Sequence, residues 1–409
     1  MKRIQDRENG PEQPTSWVYG QHKLWSKAFL CFIMLNFCIF MGFNILLPTM
    51  SLYLEKHGLG GGEIGLIYST FMVSAIAMRT ATGFLVSGRS PLPFIGLGLA
   101  LCALASFGYY WSTTLYKGIF FRLLHGAGFG ITSTLITAMA SQTIPQSRLG
   151  EGMSYLGLGT TVAMAAGPFL GIWLMHEWGF MILFLGAALC CVLAIGVLRL
   201  LSFFDPAYPV FSPTLPHPGL TLFSGMAWVP VLLMFILGPS LSAVIIFMAL
   251  FCQERSLPYA GHFFVIASIS IVISRLFSGK FYDRWGHRTV IPPSVLLLFV
   301  IAFMLFWADG SVMIFSAAIL YGFGVGALFP GMTALTLSYA PMERRTEATA
   351  SFFNAYDLGF GLGAVILGHI ADWAGSYAVV FLCSACMSLV FFMTYAFFYL
   401  RRPDAFLKR

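Results

Sequence analysis

Long apolar runs, each closed by a short polar turn or one rich in Gly and Pro, set the pattern of this chain. Twelve such runs can be marked, at about 28–52, 63–87, 92–112, 116–142, 149–175, 179–201, 224–252, 260–282, 289–308, 312–340, 346–371 and 377–400. Runs of about 20 residues suit α-helices that cross a hydrocarbon layer roughly 30 Å thick, since a helix satisfies its own backbone groups there. The predicted fold is an all-α membrane protein of twelve transmembrane helices. After the sixth run the chain reads FFDPAYPVFSPTLPHPG, with five prolines between Pro206 and Pro218, a composition that favours an extended linker over a helix. The expected organisation is an N-terminal tail (1–27), a six-helix bundle (28–201), a Pro-rich linker (202–223), a second six-helix bundle (224–400) and a C-terminal tail (401–409).

The two bundles repeat at a constant offset of 196 residues. Arg79 and Gly83 correspond to Arg275 and Gly279, and Gly126, Gly128 and Gly130 to Gly322, Gly324 and Gly326. Arg148 and Glu151 correspond to Arg344 and Glu347, Gly167 to Gly363, and Gly179 to Gly375. Parallel repeats of this kind are a known route to transporters.

Composition agrees with the pattern: 58% of residues are hydrophobic, 10% are charged, and the mean hydropathy is +0.82. Soluble domains carry about 25% charged residues. The formal net charge of +7 would point to nucleic acid in a soluble protein, but its placement gives another answer. With twelve spans both termini lie on one side, and 17 of the 23 Lys and Arg residues fall there against three on the other. Positive residues mark the cytoplasmic side, so both termini are expected in the cytoplasm of a plasma membrane, the inner membrane if the cell is bacterial. No nucleic-acid partner is expected. The first apolar run is too long for a signal peptide. The eight cysteines lie in or beside apolar runs and imply no disulfide framework; Cys383-x-x-Cys386 sits in the last helix, where packing is the simpler reading. Phosphate-loop, Gly-x-Ser-x-Gly and His-Glu-x-x-His motifs are absent, so neither an enzyme, a cofactor nor a metal site is indicated.

The chemistry is confined to a few positions. Between two apolar runs, RLFSGKFYDRWGHR (Arg275 to Arg288) reads as a charged loop. The remaining three of the 23 basic residues, Arg79, Arg122 and Arg275, fall inside apolar spans, and Asp357 is the only acid deep in one. Intramembrane charge is costly and by default marks function. Asp357 lies roughly 15 Å into its helix by helical rise, with Asn354 one turn earlier on the same face. There a protonated carboxyl is cheap and an ionised one expensive without a partner. A static pair with an arginine is the plain alternative. For Arg79 and Arg275 the plain alternative is snorkelling to the interface. Asn36 is a polar candidate in the first helix.

These features resemble the major facilitator superfamily, in its branch of twelve-span drug:proton antiporter-like exporters. Gly279, Asp283, Arg284, Gly286 and Arg288 match that family's cytoplasmic gating motif. The resemblance implies a gate built from these residues and Arg275, with a weaker first-half copy at Arg79, Gly83 and Arg89, where Ser87 replaces the acid. It also implies that Arg148, Glu151, Arg344 and Glu347 join the gate. Arg122 with Gly126, Gly128 and Gly130 resembles the motif whose Arg is implicated in proton transfer, giving Arg122 a coupling or substrate role beside Asp357. Gly167, Pro168 and Gly171 resemble, in part, the antiporter motif of exporters. The implied activity is proton-coupled export of a small organic molecule by a monomer in the bilayer. A proton-coupled importer or uniporter of an organic anion, or a transporter-like sensor or assembly factor, remains open.

Overall fold

A computed structural model describes residues 24–86, 89–145, 148–204, 225–340 and 345–400. The N-terminal tail up to residue 23, the Pro-rich segment 205–224 and the C-terminal tail 401–409 lie outside the described residues. The described chain is helical throughout: α1 (Lys27–Lys56), α2 (Gly61–Leu85), α3 (Leu92–Gly108), α4 (Leu115–Thr143), α5 (Leu149–Phe204), α6 (Trp228–Glu254), α7 (Ala260–Trp285), α8 (His287–Phe306), α9 (Ser311–Ser338), α10 (Arg345–Ala374) and α11 (Ala378–Tyr395), the last prolonged to Leu400 by a π-turn.

Eleven helices among the described residues are long and apolar enough to cross a membrane, one fewer than the apolar pattern predicts. The expected runs 149–175 and 179–201 form one element of 56 residues, interrupted by non-helical backbone at Gly179 (φ 80°, ψ 179°). Its repeat counterpart Gly375, between α10 and α11, also has positive φ, at 66°. Glycine populates this region without steric cost, which is why the same residue stands at both turns.

Packing follows the repeat. α2 lies on α4 as α7 lies on α9, and α3 on α4 as α8 on α9. α1 packs on α5 as α6 packs on α10. The glycine ladder sets these contacts. A Cβ on Gly130 would stand 2.5 Å from the Ala75 carbonyl, and one on Gly326 would stand 2.8 Å from that of Ile271, 196 residues on. Likewise a Cβ on Gly128 would meet the Gly98 carbonyl at 2.5 Å, and one on Gly324 the Ser294 carbonyl at 3.2 Å. Small residues let membrane helices approach this closely, where van der Waals contact replaces the hydrophobic drive available in water.

Hydrogen bonds that join α1–α5 to α6–α11 begin where α1 and α6 end. There Gln253 Nε2 donates to Glu55 Oε2 at 2.7 Å. Asp372 of α10 accepts the first backbone N–H groups of α2, Gly61 at 2.6 Å and Gly62 at 2.7 Å. One half thus caps a helix of the other, a carboxylate meeting the positive end of a helix dipole. Further in, the Ser268 hydroxyl of α7 donates to the Ala165 carbonyl of α5.

Candidate functional site

Two arginines, in the later parts of α2 and α7, cross between the halves. Arg79, on α2, donates through Nη1 to Asp357 Oδ2 at 3.1 Å and to Asn354 Oδ1 at 2.9 Å, both on α10. The side chains of Arg79 and Asp357 keep 21% and 14% of their surface, so the pair is largely buried. The second crossing is made by Arg275 of α7, whose Nη1 donates to the hydroxyl of Thr161 on α5. That hydroxyl gives its own proton to the Gly157 carbonyl at 2.9 Å, which leaves it free to accept. The Nε of Arg275 is buried without a hydrogen-bond partner.

The repeat relates these crossings. Adding 196 to Arg79 gives Arg275, and subtracting 196 from Asp357 gives Thr161. Each half therefore sends an arginine to the same position of the other; on one side it finds a carboxylate and on the other a hydroxyl. Thr161 was not predicted as a site residue. The signal that could have found it is the repeat offset applied to Asp357.

Arg122 is placed differently from expectation. Instead of meeting Asp357, it is fully buried among α2, α4 and the turn after α3, with its guanidinium carbon 4.3 Å from the centroid of the Tyr68 ring, 5.3 Å from Tyr109 and 5.7 Å from Phe71. None of its three nitrogens has a hydrogen-bond partner. Ring faces meet the charge, an interaction that strengthens when the cation is desolvated. The aromatic cage is itself tied in place: the Tyr68 hydroxyl donates to the Leu47 carbonyl, and the Tyr109 hydroxyl lies 2.9 Å from His125 Nδ1. Asn36, the polar candidate of the first helix, is committed to packing, donating to the Leu156 carbonyl at 3.0 Å and Thr160 Oγ1 at 2.7 Å on α5. Gly167 and Gly171 face Asn44 and Ile45 of α1, with Pro168 buried between them, so this stretch joins two helices of one half.

The stretch expected to be a charged loop is helical. α7 runs to Trp285, only Gly286 (φ 77°, ψ 178°) breaks the geometry, and α8 begins at His287. Apolar residues Leu276, Phe277 and Phe281 between the charges allow the helix to continue into the interface. Arg284 lies over the Trp285 ring at 4.9 Å. Arg288 Nη2 donates to the Tyr399 carbonyl at 2.8 Å, and His287 Nδ1 lies 2.7 Å from the Tyr395 hydroxyl, both within the second half. Gly279 faces open space. Arg148 is exposed at the start of α5. Arg344 and Ser87 lie outside the described residues, as do the surroundings of Gly83 and the side chains of Glu151, Asp283 and Glu347.

The sequence model of the Major Facilitator Superfamily matches residues 32–359 and 256–409. Similar proteins include the multi-drug resistance efflux pump PmrA of Streptococcus pneumoniae, 24% identical over 370 residues (86% of this chain, 91% of that protein). The staphylopine export protein of Staphylococcus aureus is 23% identical over 375 residues (86% and 90%). Among solved structures, the nucleoside transporter NupG superposes with a TM-score of 0.68 at 17% identity (90% and 99% of the two chains). A bacterial homologue of the human lysosomal transporter Spinster, in an inward-facing and unoccupied conformation, gives 0.72 at 14% identity (95% and 99%).

Proposed function

The chain belongs to the major facilitator superfamily, and from that premise we propose that it is a secondary active transporter exporting a small organic compound in exchange for protons. In this reading α5 is two spans joined at Gly179, which makes twelve spans in two six-helix bundles, with both termini in the cytoplasm and the protein working as a monomer. In this reading the bonds at Asp372, Gln253 and Ser268 hold the two halves together toward the extracytoplasmic end.

The observation that carries the proposal is the Arg79–Asp357 pair, an ion pair between halves that must part during alternating access. An ionised Asp357 holds Arg79, while a proton on its carboxyl removes the charge and frees the arginine. Proton and pair compete for one carboxylate, so proton occupancy biases the movement of the halves. Removing one partner of such a desolvated pair costs about 3–5 kcal/mol. The Arg275–Thr161 crossing has no acid and does not respond to protons in this way. Arg122, caged among rings, keeps the first half rigid behind the site rather than tuning Asp357. The gating role of Gly279, Asp283, Arg284, Gly286 and Arg288, with Gly83, Arg148, Glu151, Arg344 and Glu347, is kept as part of the proposal for the state closed toward the cytoplasm. Export, as against import, is supported by the similar proteins named as an efflux pump and an export protein.

The test is transport in proteoliposomes under an imposed pH gradient of known sign. Asp357→Asn is expected to abolish concentrative movement and leave exchange intact. Unchanged pH-driven transport in that variant would refute the coupling role, and accumulation in the opposite direction would make the protein an importer.

A further inference from the structure

The described membrane helices hold three arginines in their interior, Arg79, Arg122 and Arg275, against one acid, Asp357. Arg122 is enclosed by rings and Arg79 has its carboxylate. Arg275 alone stands at the interface between the halves, half-buried, with only a hydroxyl as partner and with its Nε unsatisfied. A guanidinium without a counter-charge at this depth is costly. The repeat shows what the position is shaped to take. At the equivalent point across the interface, Arg79 receives a carboxylate at 3.1 Å and an amide oxygen at 2.9 Å.

Building on the transporter reading above, we propose that Arg275 and Thr161 form the substrate's anion subsite, and that the transported compound carries a carboxylate or a similar oxyanion that takes the place Asp357 occupies on the other side. The acid group would bind the Nη and Nε edge of Arg275 in the two-point geometry that suits guanidinium and carboxylate. Thr161 Oγ1, released from Arg275, can turn its proton from the Gly157 carbonyl to the substrate oxygen. The loaded carrier then has two matched crossings, one internal and one completed by substrate. Cations would be repelled from the Arg275 side, so the subsite also sets charge selectivity.

The test uses the full-length chain expressed in cells lacking other exporters of this family, with untargeted mass spectrometry of intracellular and extracellular compounds. Wild type is expected to lower the accumulation of a set of compounds that are predominantly organic anions. Arg275→Gln should reduce their export by about tenfold or more, the worth of a charge-assisted hydrogen bond, with Arg275→Lys retaining part of it. Thr161→Asp supplies the missing carboxylate from the protein itself, and should block export of the anions without lowering the melting temperature of the purified protein. A responding set made up of cations or neutral compounds, or anion export unaffected by Arg275→Gln and Thr161→Asp, would overturn the subsite while leaving the transporter reading in place. If no compound responds to wild type, the transporter reading fails and the subsite with it.

Discussion

The two crossings at the centre of the molecule have the same parts list except for one residue. Arg79 reaches from the first half to Asp357, and Arg275 reaches from the second half to Thr161, at positions that the 196-residue offset makes equivalent. A carboxylate makes the first crossing sensitive to protons; a hydroxyl leaves the second open to whatever brings a negative charge. In the proposed mechanism the 196-residue offset gives one geometry twice, and a single replacement divides the labour between ion and substrate. The same comparison applies to Arg122, whose equivalent is Ala318: the second half packs without the charge, so the buried cation is particular to the first half.

The comparison can be broken most severely at the acid. Asp357→Asn should lower pH-driven transport by about 100-fold or more, as expected from stranding Arg79. Exchanging the charges, Arg79→Asp with Asp357→Arg, should recover transport to within about tenfold of wild type if the pair matters as a pair. Next in size is the gate. In a transport assay, Asp283→Asn should cost about three- to tenfold and Ser87→Ala less, because only the second copy carries a charge that a helix end or arginine can use. Smallest are the packing contacts that hold both copies in register. In thermal unfolding of purified protein, Gly130→Ala and Gly326→Ala should each destabilise by about 1–3 kcal/mol through overpacking, and by similar amounts as the repeat requires. Gly157→Ala, where a Cβ meets nothing within 4 Å, should stay within about 0.5 kcal/mol.

Much of this architecture was legible in the chain. Apolar length located the helices, and the glycine ladder located the closest contacts, because both are local properties. The turn at Gly179 was legible only as a matched glycine; that it joins two runs into one element depends on backbone geometry. The charge density of Arg275 to Arg288 reads as a loop in the sequence, whereas Leu276, Phe277 and Phe281 among the charges let α7 continue to Trp285. Asp357 stood out as a lone acid in an apolar run. Its partner did not, since 278 residues separate it from Arg79 and the family resemblance pointed to Arg122. Aromatic rings absorb the Arg122 charge, and no spacing rule records that Tyr68, Phe71 and Tyr109 converge on it. The cap that Asp372 places on α2 was also invisible, since an N-cap is normally sought within a few residues of the helix it closes.

The central claim is that the Arg79–Asp357 crossing, and not its Arg275–Thr161 counterpart, converts protonation into movement of the halves. The direct measurement is the distance between spin labels at positions 89 and 289, near the ends of α2 and α7, by pulsed electron spin resonance as the pH is lowered. Wild type and Arg275→Gln should show the same acid-driven change in distance, and Asp357→Asn should show none. An acid-driven change that persists in Asp357→Asn, or one that disappears in Arg275→Gln, would contradict the account.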